Sequence, residues 1–257
     1  ITGNVTTADD VSYSSGYETR FQSNTVIGNV SIASNGSNPM KDPDAGPQNS
    51  RYTGNVTYTK TGGGTLSIGI GDTLEIGQNL TLNSPTGILL GTIKFNGNSN
   101  GVIDQLGTQQ PIIIPTIIME KTGSAKLTLN DSVTVTNTLT FASGNIYSSA
   151  GNNLIFPDNV SYTGGSANSH LVGPVTKVGD DIFTFPLGSP TTLNTVAMSA
   201  PVGVASRFRA EYKNQNPTSD GYNTNLKAGS FGAAGISKVG YWDVQRLTGT
   251  TNVTLTE

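Results

Sequence analysis

A chain of 257 residues, 34% hydrophobic and only 12% charged with 32 glycines, is long enough for one or two domains and too poor in charge to be a disordered polyelectrolyte. Its formal net charge of −3 offers no field to attract nucleic acid or anionic lipid. Without cysteine it has no disulfide framework and no thiolate metal site.

The opening word Ile-Thr-Gly-Asn-Val-Thr recurs. Ile27-Gly28-Asn29-Val30-Ser31 and Thr53-Gly54-Asn55-Val56-Thr57 are further copies, and Ile76-Gly77-Gln78-Asn79-Leu80-Thr81 is a looser one. The asparagines fall at Asn4, Asn29, Asn55 and Asn79, spaced by 25, 26 and 24 residues, and Asn137 lies 58 further on. A period in the twenties signals a solenoid. A unit of that size cannot bury its own apolar face, so neighbouring coils must stack on it. Repeated asparagines at one corner then form a ladder, each amide bonding the next coil. Gly-Asn supplying turn geometry is the plainer alternative, and an up-and-down barrel or sandwich is the rival architecture.

Ser34 to Ser50 is almost free of apolar residues and rich in Asn-Gly, Asn-Pro and Asp-Pro pairs, so it reads as a loop. Thr65 to Leu90 alternates Leu66, Ile68, Ile70, Leu74, Ile76, Leu80 and Leu82 with polar neighbours, the period of a strand with one buried face. Gly97 to Gln110 reads as a second polar break. Ile112 to Met119 is nearly all apolar and suits a strand buried on both faces. It is interrupted by Pro115 and too short to cross a membrane. From Ala125 to Phe156, apolar residues at Leu127, Leu129, Val133, Val135, Leu139 and Phe141 alternate mostly with threonine, and turn residues separate the runs. No hairpin signature joins them.

At Tyr162 to Ser166 the pattern changes, and this Gly/Ser segment is the expected boundary. Longer alternating strands follow at Leu171 to Val178, Ile182 to Leu187, Thr195 to Ser199, Arg207 to Tyr212, Gly240 to Leu247 and Val253 to Leu255. Strands at this spacing argue for an antiparallel sandwich. The expected organisation is therefore all-β: a right-handed parallel β-helix over residues 1–165, then a β-sandwich-like module over 166–257. The start without Met and the stop inside a strand pattern are expected to be cuts in something longer, and no signal peptide is evident.

His170-Leu171-Val172-Gly173-Pro174-Val175, Lys177-Val178-Gly179 and Phe183-Thr184-Phe185-Pro186-Leu187-Gly188 resemble a block of large Bacteroidota surface proteins. Arg209-Ala210-Glu211-Tyr212 and Tyr241-Trp242-Asp243-Val244 through Leu255 fit the same block. In that family a repetitive β-helix precedes it, and the 79–82 and 125–156 stretches are similar to that helix. The resemblance implies export by the type IX secretion system, an extracellular or cell-surface location, and adhesin-like roles such as cell adhesion and gliding motility. The family's C-terminal secretion domain is absent from this sequence, and its final alternation is cut short. The implied partners are glycans or other surfaces, outer-membrane secretion machinery, and neighbouring modules of the same protein, with no nucleic acid and no membrane insertion. Bacteria of this group attach O-glycans at Asp-Ser/Thr before an apolar residue. Asp72-Thr73-Leu74 and Asp131-Ser132-Val133 match, making Thr73 and Ser132 candidate sites. The Asn-x-Ser/Thr triplets follow from the repeat.

A catalytic reading is thin. His170 is the sole histidine, with no nucleophile elbow beside it, and is expected to be structural. A β-helical polysaccharide lyase or hydrolase is the alternative function. It would need convergent carboxylates from among Asp72, Glu75, Asp104, Glu120 and Asp131. Gly179-Asp180-Asp181 and Asn214 to Asp220 carry oxygen ligands suited to calcium, but read first as turns. Thr134, Thr136, Thr138 and Thr140 could form an outward row of the kind ice-binding solenoids use, though any soluble strand face has that look. Phe208, Tyr212, Tyr241 and Trp242 are expected in a core rather than as a sugar platform. The residues thus favour a non-enzymatic structural or adhesin-like stalk with no catalytic, cofactor or metal residues.

Overall fold

The computed structural model describes residues 6–7, 11–15, 19–21, 24–42, 49–84, 88–106, 112–224 and 237–257. It is nearly all β, and its larger part is a parallel solenoid of about six turns. Each coil contributes to three faces. Face one is a sheet built from strands such as Val30–Ser34, Val56–Lys60, Leu80–Asn83, Gly101–Leu106, Lys126–Leu129 and Asn145–Tyr147. Faces two and three belong to a second sheet. There the long strands Leu66–Ile76, Ile88–Gly97, Ile112–Lys121 and Val133–Ser143 run along face two, bend, and continue along face three.

The alternation explains the stacking. Val30, Val56, Leu80, Ile103 and Leu129 occupy successive coils at one register position of face one, and all are buried. Tyr52, Ile76, Phe95, Met119 and Phe141 do the same on face three. Each inward side chain lands on its equivalent one coil away. Burial of each such chain contributes roughly 1.5–3 kcal/mol, and the backbone of every coil is bonded above and below.

The bends have local causes. In Leu66–Ile76 the corner carries Gly69 and Gly71 at φ 67° and 79°, left-handed values that glycine adopts without a Cβ penalty. In Ile112–Lys121 the corner carries Pro115, and pairing skips a residue between Ile114 and Thr116. Ile112 to Met119 is consequently not buried on both faces: Ile112, Ile114, Ile117 and Met119 point inward, while Ile113 is 45% exposed. The corner lets an apolar run alternate twice.

Two expected loops contain strands. Within Ser34 to Ser50, Met40–Asp42 pairs in parallel with Leu66, Ser67 and Ile68; residues 43–48 lie outside those described. Within Gly97 to Gln110, Gly101–Leu106 is a face-one strand; residues 107–110 lie outside. Polar composition conceals both because a three- to six-residue strand needs only two or three inward side chains.

The parallel ladder runs on past the Gly164–Ser166 segment. Leu171–Val172 pairs with Asn145–Tyr147, and Val175–Val178 with Leu154–Phe156. Direction then reverses inside the same sheet: Arg207–Lys213 pairs antiparallel with Val175–Val178, and Tyr241–Thr248 with Arg207–Lys213. A three-stranded antiparallel sheet joins Phe183–Phe185, Val196–Met198 and Leu255–Thr256. Its residues Phe183, Phe185, Val196 and Met198 share one core with the solenoid. Phe183 packs on Phe156 and Tyr162 of the last coils, with ring centroids 5.3 and 6.1 Å away. These strands cover a terminal coil whose edge would otherwise present unpaired backbone groups.

Candidate functional site: the asparagine edge, the solenoid corners and the terminal aromatic patch

The asparagine edge is built where the chain enters face one. Asn55 donates through both its backbone N–H and Nδ2 to Asn29 Oδ1, each at 2.8 Å. Asn79 N–H donates to Asn55 Oδ1 at 3.4 Å. The residues stand 26 and 24 positions apart. Asn4 lies outside the described residues. Asn137 is not on this edge: it is exposed at the corner between faces two and three, where its Nδ2 donates to Thr116 Oγ1 at 3.0 Å. The edge uses other residues instead. Asn100 Oδ1 accepts from Lys126 N–H at 3.1 Å, and Asn145 Oδ1 from His170 N–H at 3.1 Å. Each such amide satisfies a backbone donor of the next coil that the turn leaves without a strand partner. Close approach is part of the same edge: a Cβ on Gly54 would lie 2.5 Å from Gly28 O, and one on Gly77 would lie 2.0 Å from Thr53 O.

Thr73 lies at the corner between faces two and three, half-buried, its N–H donating to Asn49 Oδ1 at 3.1 Å. It lines a groove of about 620 Å³ with Ile70, Asp72, Thr92, Pro115 and Thr116. Ser132 sits in a different turn. Its hydroxyl donates to Gly151 O and accepts from Asn153 N–H, both at 3.2 Å. Thr73, Thr92, Thr116 and Thr138 form one column across four coils. Sequence reading missed it, because the column runs across coils while the eye follows the chain. Thr134, Thr136, Thr138 and Thr140 do not make one flat row, since the strand bends between Thr136 and Thr138 and its two halves pair on different faces.

The candidate acids are scattered over the faces. Asp72 is at the corner just described, Asp104 on face one, and Asp131 in the turn before Val133, where its Oδ2 accepts from Gln105 N–H at 2.7 Å. Glu75 and Glu120 do meet, but across Lys94, whose ammonium is 3.9 Å from Glu75 and in contact with Glu120. Hydrogen bonding to Glu120 raises the Lys94 pKa. Arg51, 3.8 Å from Glu75, extends this into a row of alternating charge on face three. Exposed pairs of this kind are each worth about 0–1 kcal/mol.

His170 is fully buried at the join between solenoid and antiparallel strands. Its Nδ1 is 2.8 Å from Ser166 O and its Nε2 2.7 Å from Ser189 O. A backbone carbonyl from each of two turns thus faces one of the two ring nitrogens. Gly188 admits the ring, for a Cβ there would lie 2.5 Å from Nε2.

Asp158, Asp180 and Asp181 converge within 4.8 Å. A cation from the chain itself already stands beside them: the buried Lys177 ammonium pairs with Asp181 and donates to Pro157 O at 2.7 Å and Val160 O at 3.2 Å. In the 214–220 segment, Asn216 caps a short 3-10 turn over Pro217–Asp220, accepting from Thr218 N–H.

Sequence reading also missed the polar groups inside the tube. Asp42 is fully buried. Its Oδ2 accepts from Tyr52 OH at 2.6 Å and Tyr58 OH at 2.7 Å, and its Oδ1 has no hydrogen-bond partner among the described residues. Desolvation, partly offset by these hydroxyls, pushes its pKa up to about 6. Lys60 and Lys121 are likewise buried and donate to Gly36 O and Gly77 O. Desolvation lowers Lys121 to about 8. The available signal was Asp42, Lys60 and Lys121 standing at inward positions of alternating strands.

Of the four aromatics near the C-terminus, Phe208 is core, whereas Tyr212, Tyr241 and Trp242 are half-buried. Trp242 Nε1 donates to Asn194 O at 3.0 Å, and its ring meets Tyr212 edge-on at 5.6 Å. Tyr241 OH donates to Asp220 Oδ2, and its ring meets Tyr222 edge-on at 5.6 Å. Burial and then Asp220 push the Tyr241 phenol up to about 12. Compared with protein-family models, with curated proteins and with solved structures, the chain matches none.

Proposed function

We propose that the protein is a non-enzymatic stalk of the cell surface or extracellular space, an adhesin-like rod that holds other modules away from their anchor. One observation carries the reading: successive coils stack in register, bonded backbone to backbone, from Thr6 to Val178. In such a stack each coil contacts its neighbours, and length grows with repeat number. At about 4.8 Å per coil, six coils span on the order of 30 Å. The winding is read as right-handed, as parallel crossovers within a sheet overwhelmingly are. The antiparallel strands after Val178 are read as a β-sandwich-like cap on that rod. Export by a type IX route rests on the resemblance of the His170–Leu255 block, and so do the expected partners: glycans, other surfaces and neighbouring modules.

The test is mechanical. The chain is tethered through residues at opposite ends of the solenoid and pulled by atomic force microscopy. A stalk resists until coils peel off one at a time, each releasing about two dozen residues of contour. Smooth extension at low force, or turnover of a polysaccharide panel by the purified chain, would refute the reading.

A further inference from the structure

We infer that the aromatic patch on the antiparallel strands is a saccharide-binding site, taking the face of one pyranose ring. The inference deepens the proposed function by giving a site to one of its expected partners, and its test is separate from that of the stalk. The site is a cavity of about 290 Å³ lined by Pro217, Tyr222, Tyr241, Trp242, Asp243 and Val244, at the lower end of the size range for ligand sites and suited to a single ring. Three of its six lining residues are aromatic, and none belongs to the solenoid.

The walls are held in place before any ligand arrives. Trp242 is fixed by its Nε1 bond to Asn194 O and by Tyr212 against its ring. Tyr212 comes that close because residue 240 is glycine: a Cβ there would lie 2.2 Å from Tyr212 Oη. Tyr241 is fixed by Asp220 and in turn supports Tyr222, which is 51% exposed. Fixed side chains lose little freedom on binding, so contact with them is not offset by ordering. Phe208 is in the core, and Tyr212, Trp242 and Val244 pack against it with one side partly open, while Tyr222 keeps half its surface in water.

The polar groups decide the ligand class. A pyranose offers a face of weakly positive C–H groups, which suit the negative face of an aromatic ring, and a rim of hydroxyls, which suit carboxylates and amides. Asp243 lies in the wall. Asp220 is at its margin, its Oδ2 accepting from Tyr241 OH and from Gln215 Nε2 at 2.8 Å. Each carboxylate brings a second oxygen for hydroxyls, and a hydrogen bond to a charged acceptor is about twice as strong as a neutral one. A cationic ligand is the rival for any aromatic and acidic site. The chain supplies one cation of its own, Lys213, which pairs with Glu211 at 3.0 Å. One lysine stands among three carboxylates, so charge alone admits a cation, and the tetramethylammonium arm below tests for it.

Trp242 is the only tryptophan in the chain, so its fluorescence reports this site alone. The whole chain is titrated with glucose, galactose, mannose and N-acetylglucosamine, with their linear oligomers, and in a separate arm with tetramethylammonium chloride. At least one saccharide is expected to shift the emission saturably. Tyr222→Ala, at an exposed residue, and Asp243→Asn, at a half-buried one, should each weaken that binding at least tenfold with unchanged circular dichroism and melting temperature, while Tyr147→Ala on the solenoid leaves it unaltered. The inference is overturned if no saccharide gives a saturable change, if both site variants bind as the parent does, or if only tetramethylammonium titrates. A chain that resists axial load yet binds no sugar refutes this site and leaves the stalk standing.

Discussion

Asp42 places a titratable group in the buried interior of the solenoid, and a pH signature follows. Its carboxyl is fully buried, accepts from Tyr52 and Tyr58, and titrates at about 6 instead of 3.8. A carboxyl whose folded pKa is raised binds its proton more tightly when folded. Its contribution to stability is therefore complete below the unfolded pKa and is lost as pH rises through the folded one. The interval from 3.8 to about 6, at about 1.4 kcal/mol per unit, makes this on the order of 3 kcal/mol between pH 4 and 7. Asp42→Asn keeps an oxygen for the tyrosine hydroxyls and removes the charge. The variant should be close to the parent at pH 4 and more stable by up to that amount at pH 7. Because stacked coils open locally, the measurement is native-state hydrogen exchange at the Val56–Lys60 amides, with parent and variant compared at each pH so that other carboxyls cancel. Parallel pH profiles in the two proteins, or a gap that widens toward acid, would refute the reasoning.

Three further outcomes are expected. Gly77→Ala forces a methyl to within 2.0 Å of Thr53 O, a backbone atom, so the midpoint of urea unfolding should drop by the equivalent of roughly 1–3 kcal/mol, in the range of overpacked sites. Asn55→Ala removes the side-chain bond to Asn29, leaves the backbone one, and orphans Asn79 N–H. It should cost about 1–3 kcal/mol, with faster exchange at Asn79 than on face three. Lys121, lowered to about 8 by desolvation, disfavours its own charged form in the folded state. Parent stability relative to Lys121→Met should therefore rise as pH climbs from about 8 towards 10.5, as a pH series of urea titrations would show.

The coil was legible because its two signals are local: a strand alternates within five residues, and an asparagine edge repeats at near-constant spacing. Register was not, because coil length varies. Leu127 stacks on Ile146, nineteen positions on, whereas Val30 stacks on Val56, twenty-six on. Counting in equal steps from Asn79 therefore arrived at Asn137, on the wrong corner. The short strands at Met40–Asp42 and Gly101–Leu106 were hidden by turn residues around them. The threonine column and the Arg51–Glu75–Lys94 row were beyond reach, since neither is a pattern along the chain. At the aromatic patch the residues were visible, but nothing in the order Tyr241-Trp242-Asp243 tells a half-open wall from a core.

A tube that stacks identical layers has no intrinsic end, so something must stop it, and the stop here has a structure. Parallel pairing gives way to antiparallel at the Val175–Val178 strand, and a strand laid antiparallel cannot continue a one-way coil. Two buried polar residues, one before that strand and one within it, hold the join. His170 joins the Ser166 and Ser189 carbonyls, and Lys177 joins Pro157 O, Val160 O and Asp181. An apolar side chain would fill the same volume and tolerate several orientations of the covering strands. Fixed donor directions tolerate one. Breaking such a buried site costs about 3–5 kcal/mol because the other partners are left unpaired, so a mis-docked cap is penalised even where its apolar contacts are adequate. The same geometry would orient the aromatic patch: the Arg207–Lys213 and Tyr241–Thr248 strands that carry Tyr212 and Trp242 are hydrogen-bonded onto the strand holding Lys177, so whatever the patch binds is held at a fixed angle to the rod.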